Sequence, residues 1–215
     1  MLLKANPQNP QPRVISKAVE LLKNGGVLII PTDTVYAFAC DVYHPKAVQK
    51  LHLLRGIDEK NKLLSIICSS VSIIGQYATG VDTPTYKLLK SALPGPYTFI
   101  LKASKEIPPQ TLSKRKTIGI RVVDNKITNL IVESLGNPIL VASLKDDDDP
   151  TEYKTDPELI HLKYGKLVDA VIDGGPGGTI PSTVIDVSDG FDHIQILREG
   201  LGSLEKLNIA VREEE

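Results

Sequence analysis

Apolar side chains recur along this chain with two different periods. Val14, Ala18, Leu21 and Leu22 fall at helical spacing, and Gly25-Gly26 ends that run, since glycine readily takes the backbone that closes a helix. Residues 27–30 are then continuously apolar, the pattern of a buried strand. That strand leads straight into Pro31-Thr32-Asp33-Thr34. Pro45 opens a second helix, with Val48, Leu51 and Leu54 facing inward and Gly56 as its stop. The same reading predicts strands at 63–68, 97–101, 118–122, 139–142, 170–172, 183–187 and 194–197. It predicts further helices at 83–92, 127–135 and 157–164. Pro94-Gly95-Pro96 closes the first of these, and Gly136 with Pro138 closes the next. Residues 174–178 form a glycine-rich turn.

Strands and helices intermix from end to end, which gives an α/β class. No internal repeat and no linker-like composition interrupts residues 25–205, so one domain is expected. Its limits are drawn at 13–206, after an N-terminal extension at 1–12 and before a charged tail at 207–215. The last residues, Arg212 to Glu215, should fray.

Composition sharpens this picture in three ways. With no Trp and three Phe, the core must be built from Leu, Ile and Val. The formal charge of −1 argues against a strongly basic nucleic-acid binder, but the charge is unevenly spread. Residues 102–126 carry a balance of +5 and residues 146–158 a balance of −6, so a basic concave surface remains compatible with the total. Cys40 and Cys68 lie in apolar stretches without CxxC spacing, as buried reduced thiols do. No apolar run reaches the ~18 residues of a membrane span, and no signal architecture opens the chain, so a cytoplasmic protein with no membrane contact is expected by elimination.

Several chemistries lack their residues. There is no Walker phosphate loop, no GxGxxG after a strand and no GxSxG elbow. His44, His52, His161 and His193 are scattered without metal-ligand spacing. What remains is hydroxyls and cations at strand ends. Thr32, Thr34 and Tyr36 crowd the turn after the first strand, and Thr117 and Arg121 share one face of another. Ser143 ends a strand, Ser182 and Thr183 start one, and Arg198 ends one. Each alone is explained by turn satisfaction or a surface ion pair. Together they offer anion-binding groups at several strand termini.

These residues are also recognisable as a set. Pro31-Thr32-Asp33-Thr34-Val35-Tyr36 resembles the PTDTVYGL signature of the YrdC-like threonylcarbamoyl-AMP synthase family. Pro94-Gly95-Pro96-Tyr97-Thr98 resembles its PGPxT, and the strand from Thr117 to Arg121 its TxxxR. Ser182-Thr183-Val184-Ile185-Asp186 resembles its STVVD, and Arg198-Glu199-Gly200 its RxG. The matches are collinear from about residue 13 to 204. The stretches 93–102 and 114–119 look most like the family's YciO-type branch.

The resemblance implies a single-domain, twisted mixed sheet with flanking helices, YrdC/RibB-like. It implies synthesis of threonylcarbamoyl-adenylate and pyrophosphate from L-threonine, bicarbonate and ATP with Mg²⁺, for threonylcarbamoylation of tRNA. By resemblance, Thr32, Thr34, Tyr36, Arg121 and Ser182 hold threonine and bicarbonate. Arg55, Lys62, Thr117, Ser143 and Arg198 hold the nucleotide, and Arg55 and Arg121 carry catalysis. No protein ligand to a metal is implied.

The departures are specific. Tyr-Gly-Leu-Gly of the family is Tyr36-Ala37-Phe38-Ala39 here, Ile57 stands where a second phosphate-clamp cation is expected, and Lys145 replaces the Asn of Ser-Ala-Asn. They motivate two alternatives: an adenylate-forming enzyme with another substrate, and a double-stranded RNA-binding module using Lys102, Lys105, Lys114, Arg115 and Lys116.

Overall fold

Proline and capping residues set the helix starts, and left-handed glycines set several of the ends. The computed structural model describes residues 1–56, 64–145 and 153–207. Helix α1 (Pro12–Lys23) begins on its proline and finishes ahead of Gly25, whose φ is 79°. In α2 (Pro45–Arg55) the His44 imidazole accepts from the Ala47 N–H, and Gly56 closes the helix at φ 61°. The short α3 (Ile74–Tyr77) is followed by α4 (Thr83–Ala92), capped by Asp82. Asn125 caps α5 (Lys126–Leu135), which Gly136 ends at φ 86°. Asp156 caps α6 (Pro157–Tyr164). These caps satisfy amides that the helices leave unpaired.

The strands are β1 (Leu2–Lys4), β2 (Leu28–Ile30), β3 (Ala37–Asp41), β4 (Ser65–Ile67), β5 (Ala78–Thr79), β6 (Tyr97–Ala103), β7 (Thr117–Arg121), β8 (Ile139–Ser143), β9 (Ala170–Asp173), β10 (Thr183–Asp186) and β11 (Gln195–Arg198). All join one mixed sheet in the order β1-β9-β2-β3-β8-β4-β7-β6-β10-β11, with β5 paired to β6. Three strands differ from the sequence expectation, and the shortest, β5, pairs antiparallel with β6. β3 pairs antiparallel with β2 and with β8, forming a hairpin across the Pro31 turn. β1 lies within residues 1–12 and adds a parallel edge to β9.

Two buried clusters lie on opposite faces of this sheet. One gathers α2, α4 and α6 against side chains such as Phe38, Phe99, Ile118 and Ile185. The other packs α1 and α5 onto Leu28, Ile30, Ala37, Ala39, Ile67, Ile139, Val141 and Ile172. That second layer contains no residue of β6, β10 or β11. Helices therefore cover both faces at one side of the sheet, and at the other side one face stays open. Several of the expected site residues, among them Arg121 and Ser143, stand on that open face.

Candidate functional site

Strand alternation decides which residues face the opening. Gly119 of β7 pairs with Ser65 of β4 and Ile100 of β6, and Ser65 pairs with Val141 of β8. Two residues along each strand, the same face carries Arg121 and Thr117, Thr98, and Ser143. These side chains, with Ser182, Val184, Leu197, Arg198 and Ser113, line a cavity of about 250 Å³. Gly119 forms its floor. A Cβ there would run into Ser65 Oγ and lie 3.0 Å from Thr98 Cγ2, so only glycine leaves the space open.

Strand-end placement held only in part, because the sheet is mixed. β4 runs parallel to β7 and antiparallel to β8, so the carboxyl ends of β7 and β8 point in opposite directions. Arg121 and Ser143 accordingly sit toward opposite ends of the cavity, which spans the sheet face instead of one rim.

At one end, Arg121 is 5% exposed. Its Nη2 donates to Asp33 Oδ1 at 2.6 Å and to Thr34 Oγ1 at 3.2 Å. Burial pushes the Arg121 pKa down, Asp33 pushes back, and Arg198 lowers it further. Asp33 is itself fixed by the Asp124 N–H at 3.1 Å. Arg121 Nε is buried with no partner. Nearby, Arg198 donates from Nε and Nη2 to the Ser182 carbonyl, at 3.1 and 2.8 Å. Ser182 Oγ and Thr98 Oγ1 are 2.8 Å apart. At the other end, Ser113 Oγ bonds Thr117 Oγ1 at 2.7 Å. Arg115 in the same loop reaches Asp186 at 3.0 Å and Asp189 at 3.1 Å, stapling the loop to the end of β10.

Arg121, Ser182, Thr117, Ser143 and Arg198 are thus brought onto one cavity. The remaining expected residues stand elsewhere. Thr32 and Thr34 are not on the lining. Thr32 Oγ1 donates to Val35 O at 2.7 Å and shapes the turn, while Thr34 touches the cavity through Arg121. Tyr36 is fully buried, its hydroxyl donating to Gly175 O at 2.7 Å and accepting from Gly174 N–H at 3.2 Å. Burial pushes its pKa up to about 12. Arg55 lines a second cavity with Phe38 and Lys145. Lys62 and Ile57 lie outside the described residues.

Of the Ala37-Phe38-Ala39 substitutions, only the Ala37 methyl lines the cavity; the Phe38 ring packs edge-on against Tyr164 at 5.5 Å on the other face. Asp33, Ser65, Thr98 and Ser113 were not anticipated. Asp33 and Thr98 lie inside the Pro31–Tyr36 and Pro94–Thr98 motifs, while Ser65 and Ser113 carry no signal in the sequence.

This face, with hydroxyls and two guanidinia around an apolar middle, places the sequence motifs in space, and comparison with known proteins agrees with them. The family profile named Sua5/YciO/YrdC, described as "Telomere recombination", matches residues 20–200. The chain belongs to this family. Escherichia coli YciO is 40% identical over 201 residues, covering 93% of this chain and 95% of that protein. The E. coli YciO crystal structure matches with a TM-score of 0.90 at 38% identity, over 96% of this chain and 98% of that one. A threonylcarbamoyl-AMP synthase of Coxiella burnetii is 28% identical over 171 residues, covering 80% of this chain and 90% of that protein. P. abyssi Sua5, solved in complex with L-threonine, shares the fold with a TM-score of 0.84 at 23% identity, over 93% of this chain and 57% of that one. The architecture is YrdC-like.

Among the described residues, no group of three or more His, Cys, Asp or Glu could hold a metal ion. The cavity lining carries no carboxylate, and Asp33 is committed to Arg121. The cavity lining therefore offers no carboxylate to a Mg²⁺ ion. Among the described residues, no helix is long and apolar enough to cross a membrane.

Proposed function

We propose that this protein makes L-threonylcarbamoyl-adenylate and pyrophosphate from L-threonine, bicarbonate and ATP, the product serving as donor in tRNA threonylcarbamoylation. The observation that carries the reading is Arg121. Its guanidinium lines the cavity, anchored on Nη2 by Asp33 and Thr34, and its Nε is buried without a protein partner. A buried, unsatisfied, charged donor favours an anionic acceptor. The carboxylate of an amino acid supplies one, and the solved threonine complex of a family member supports the choice of threonine.

The chemistry needs alignment more than a protein nucleophile. The threonine nitrogen bonds the carbon derived from bicarbonate, with loss of water, and a carbamate oxygen then attacks the α-phosphorus. The bond from that phosphorus to the bridging oxygen breaks, and pyrophosphate leaves with the electron pair. Arg198 and the hydroxyls of Ser143, Thr117 and Ser182 line the space where charge builds up. The two thiols fit no covalent role: burial pushes Cys68 up to about 12 and Cys40 higher still.

The RNA-binding reading draws less support, because Lys102 and Arg115 are ion-paired with Asp189 and Asp186. In the decisive assay, pyrophosphate release from ATP depends on both threonine and bicarbonate and is lost in Arg121→Met. ATP binding without pyrophosphate release under any amino acid would defeat the proposal.

A further inference from the structure

Asp186 ends the Ser182–Asp186 motif, yet it does not line the cavity. By strand alternation it follows Ser182 and Val184, which do, on the same face of β10. In β6, Lys102 continues the row of Thr98 and Ile100 in the same way and pairs in register with Thr117. At its Thr117 end the cavity therefore gives way to a row of charges.

The Asp186 side chain is only 5% exposed. Its Oδ1 accepts from the Ser188 N–H at 2.9 Å and its Oδ2 from Arg115 Nη1 at 3.0 Å. Arg115 Nη2 donates to Ser188 Oγ and to Asp189 Oδ2, each at 3.1 Å, and Lys102 reaches the other Asp189 oxygen at 3.2 Å. Two cations and two carboxylates neutralise one another, so this cluster is built to hold protein and not an anion. An exposed ion pair contributes little by itself. Here a buried carboxylate depends on it, and among the described residues Arg115 is the one cation paired with Asp186.

Arg115 also belongs to the turn that carries Ser113 to the cavity. Its neighbour Lys116 has a φ of 56°, and among the described residues no other non-glycine has a positive φ. A side chain is strained there, and such a turn persists only where its surroundings hold it. Within the turn, the Lys116 N–H donates to Ser113 O at 2.9 Å and the Thr117 N–H to Ser113 Oγ at 3.1 Å. The Arg115 fork ties the turn to β10, the strand whose other residues line the cavity.

We propose that Arg115 and Asp186 are positioning residues: their bond holds the strained 113–116 turn so that Ser113 Oγ, paired with Thr117 Oγ1, faces the nucleotide. This deepens the synthase reading and rests on it only for the identity of that ligand.

Calorimetry of the full chain with ATP and with L-threonine tests it. In Arg115→Met the ATP Kd should rise about three- to ten-fold, as for one misplaced hydrogen bond. The threonine Kd should stay within about two-fold, because Asp33 anchors Arg121 at the other end. Arg115→Lys keeps a cation beside Asp186 without the fork, so its ATP Kd should fall between. The sharpest comparison is made in Ser113→Ala, where adding Arg115→Met should move the ATP Kd by less than about two-fold. An undiminished effect there, or ATP and threonine weakened alike, means general loosening and overturns the proposal. Hydrogen exchange needs no ligand. The Thr117 amide should exchange about ten-fold faster in Arg115→Met while that of Val141 in β8 is unchanged. Equal Thr117 rates in the two proteins also overturn the proposal. If Thr117 exchange quickens but ATP binds neither protein, the tie between Arg115 and the turn stands and the synthase reading falls.

Discussion

Replacing Asp33 by Asn removes a charge while nearly keeping a shape. The side chains of Arg121 and Asp33 are 6% and 7% exposed and meet at 2.6 Å. Breaking such a pair from one side costs about 3–5 kcal/mol, because the surviving charge stays buried. Two features place the expected loss at about 3 kcal/mol, the lower end of that range. Thr34 Oγ1 remains as an acceptor at 3.2 Å, and Arg121 also lines a cavity that water can enter. For a chain of this size that corresponds to a fall in Tm of roughly 6–12 °C. Urea unfolding of the wild type, Asp33→Asn, Arg121→Met and the double variant measures both the loss and the coupling. The double variant should lose less than the sum of the single ones. Threonine should raise the Tm of Asp33→Asn, since its carboxylate replaces the missing charge. A loss within about 0.5 kcal/mol for Asp33→Asn, with additive behaviour in the double variant, would refute the buried pair as anchor of the site.

Three further outcomes follow from the geometry. Gly119→Ala should destabilise by about 1–3 kcal/mol and weaken nucleotide and threonine binding, because the new methyl meets Ser65 on the cavity floor; calorimetry reads both, and unchanged binding would contradict the floor position. Tyr36→Phe should cost about 1–3 kcal/mol in urea unfolding, since it orphans Gly175 O and Gly174 N–H; in the wild type, ultraviolet titration should find two tyrosines, Tyr36 and Tyr43, that ionise only near pH 12, and the variant should lose one of them. Asp169 sits with its pKa lowered: burial acts against this, but hydrogen bonds from Lys50 and the Val27 N–H outweigh it. The stability it adds is therefore full above the ordinary carboxylate pKa of ~3.9 and fades as pH falls below it, so the wild type and Asp169→Asn should converge in Tm under acid.

Much of the fold was legible because local chemistry agreed with it. The helices at 83–92 and 157–164 match α4 and α6, whose caps and prolines are visible in the sequence. β3 was missed because Pro31-Thr32-Asp33-Thr34 lacks the short Asn-Gly or Gly-rich signal of a hairpin, so the return strand through Phe38 and Cys40 went unread. β1 is three residues long, and only its pairing with β9 makes it a strand. At the site, Arg121 and Arg198 could be named because a cation in an apolar strand needs a reason. Ser65, Thr98 and Ser113 could not, because which face of a sheet stays uncovered is set by where α1 and α5 pack. Tyr36 adds a contact that its motif does not reveal: its hydroxyl ties the Gly174-Gly175 turn to the start of β3.

The most direct measurement is mass spectrometry of a reaction holding ATP, L-threonine and ¹³C-bicarbonate. An adenylate heavier by the ¹³C carbon, absent without threonine and absent from Arg121→Met, is the expected result. Unchanged ATP, or pyrophosphate released with no ¹³C in any adenylate, would contradict the assignment of this cavity to carbamoyl-adenylate synthesis.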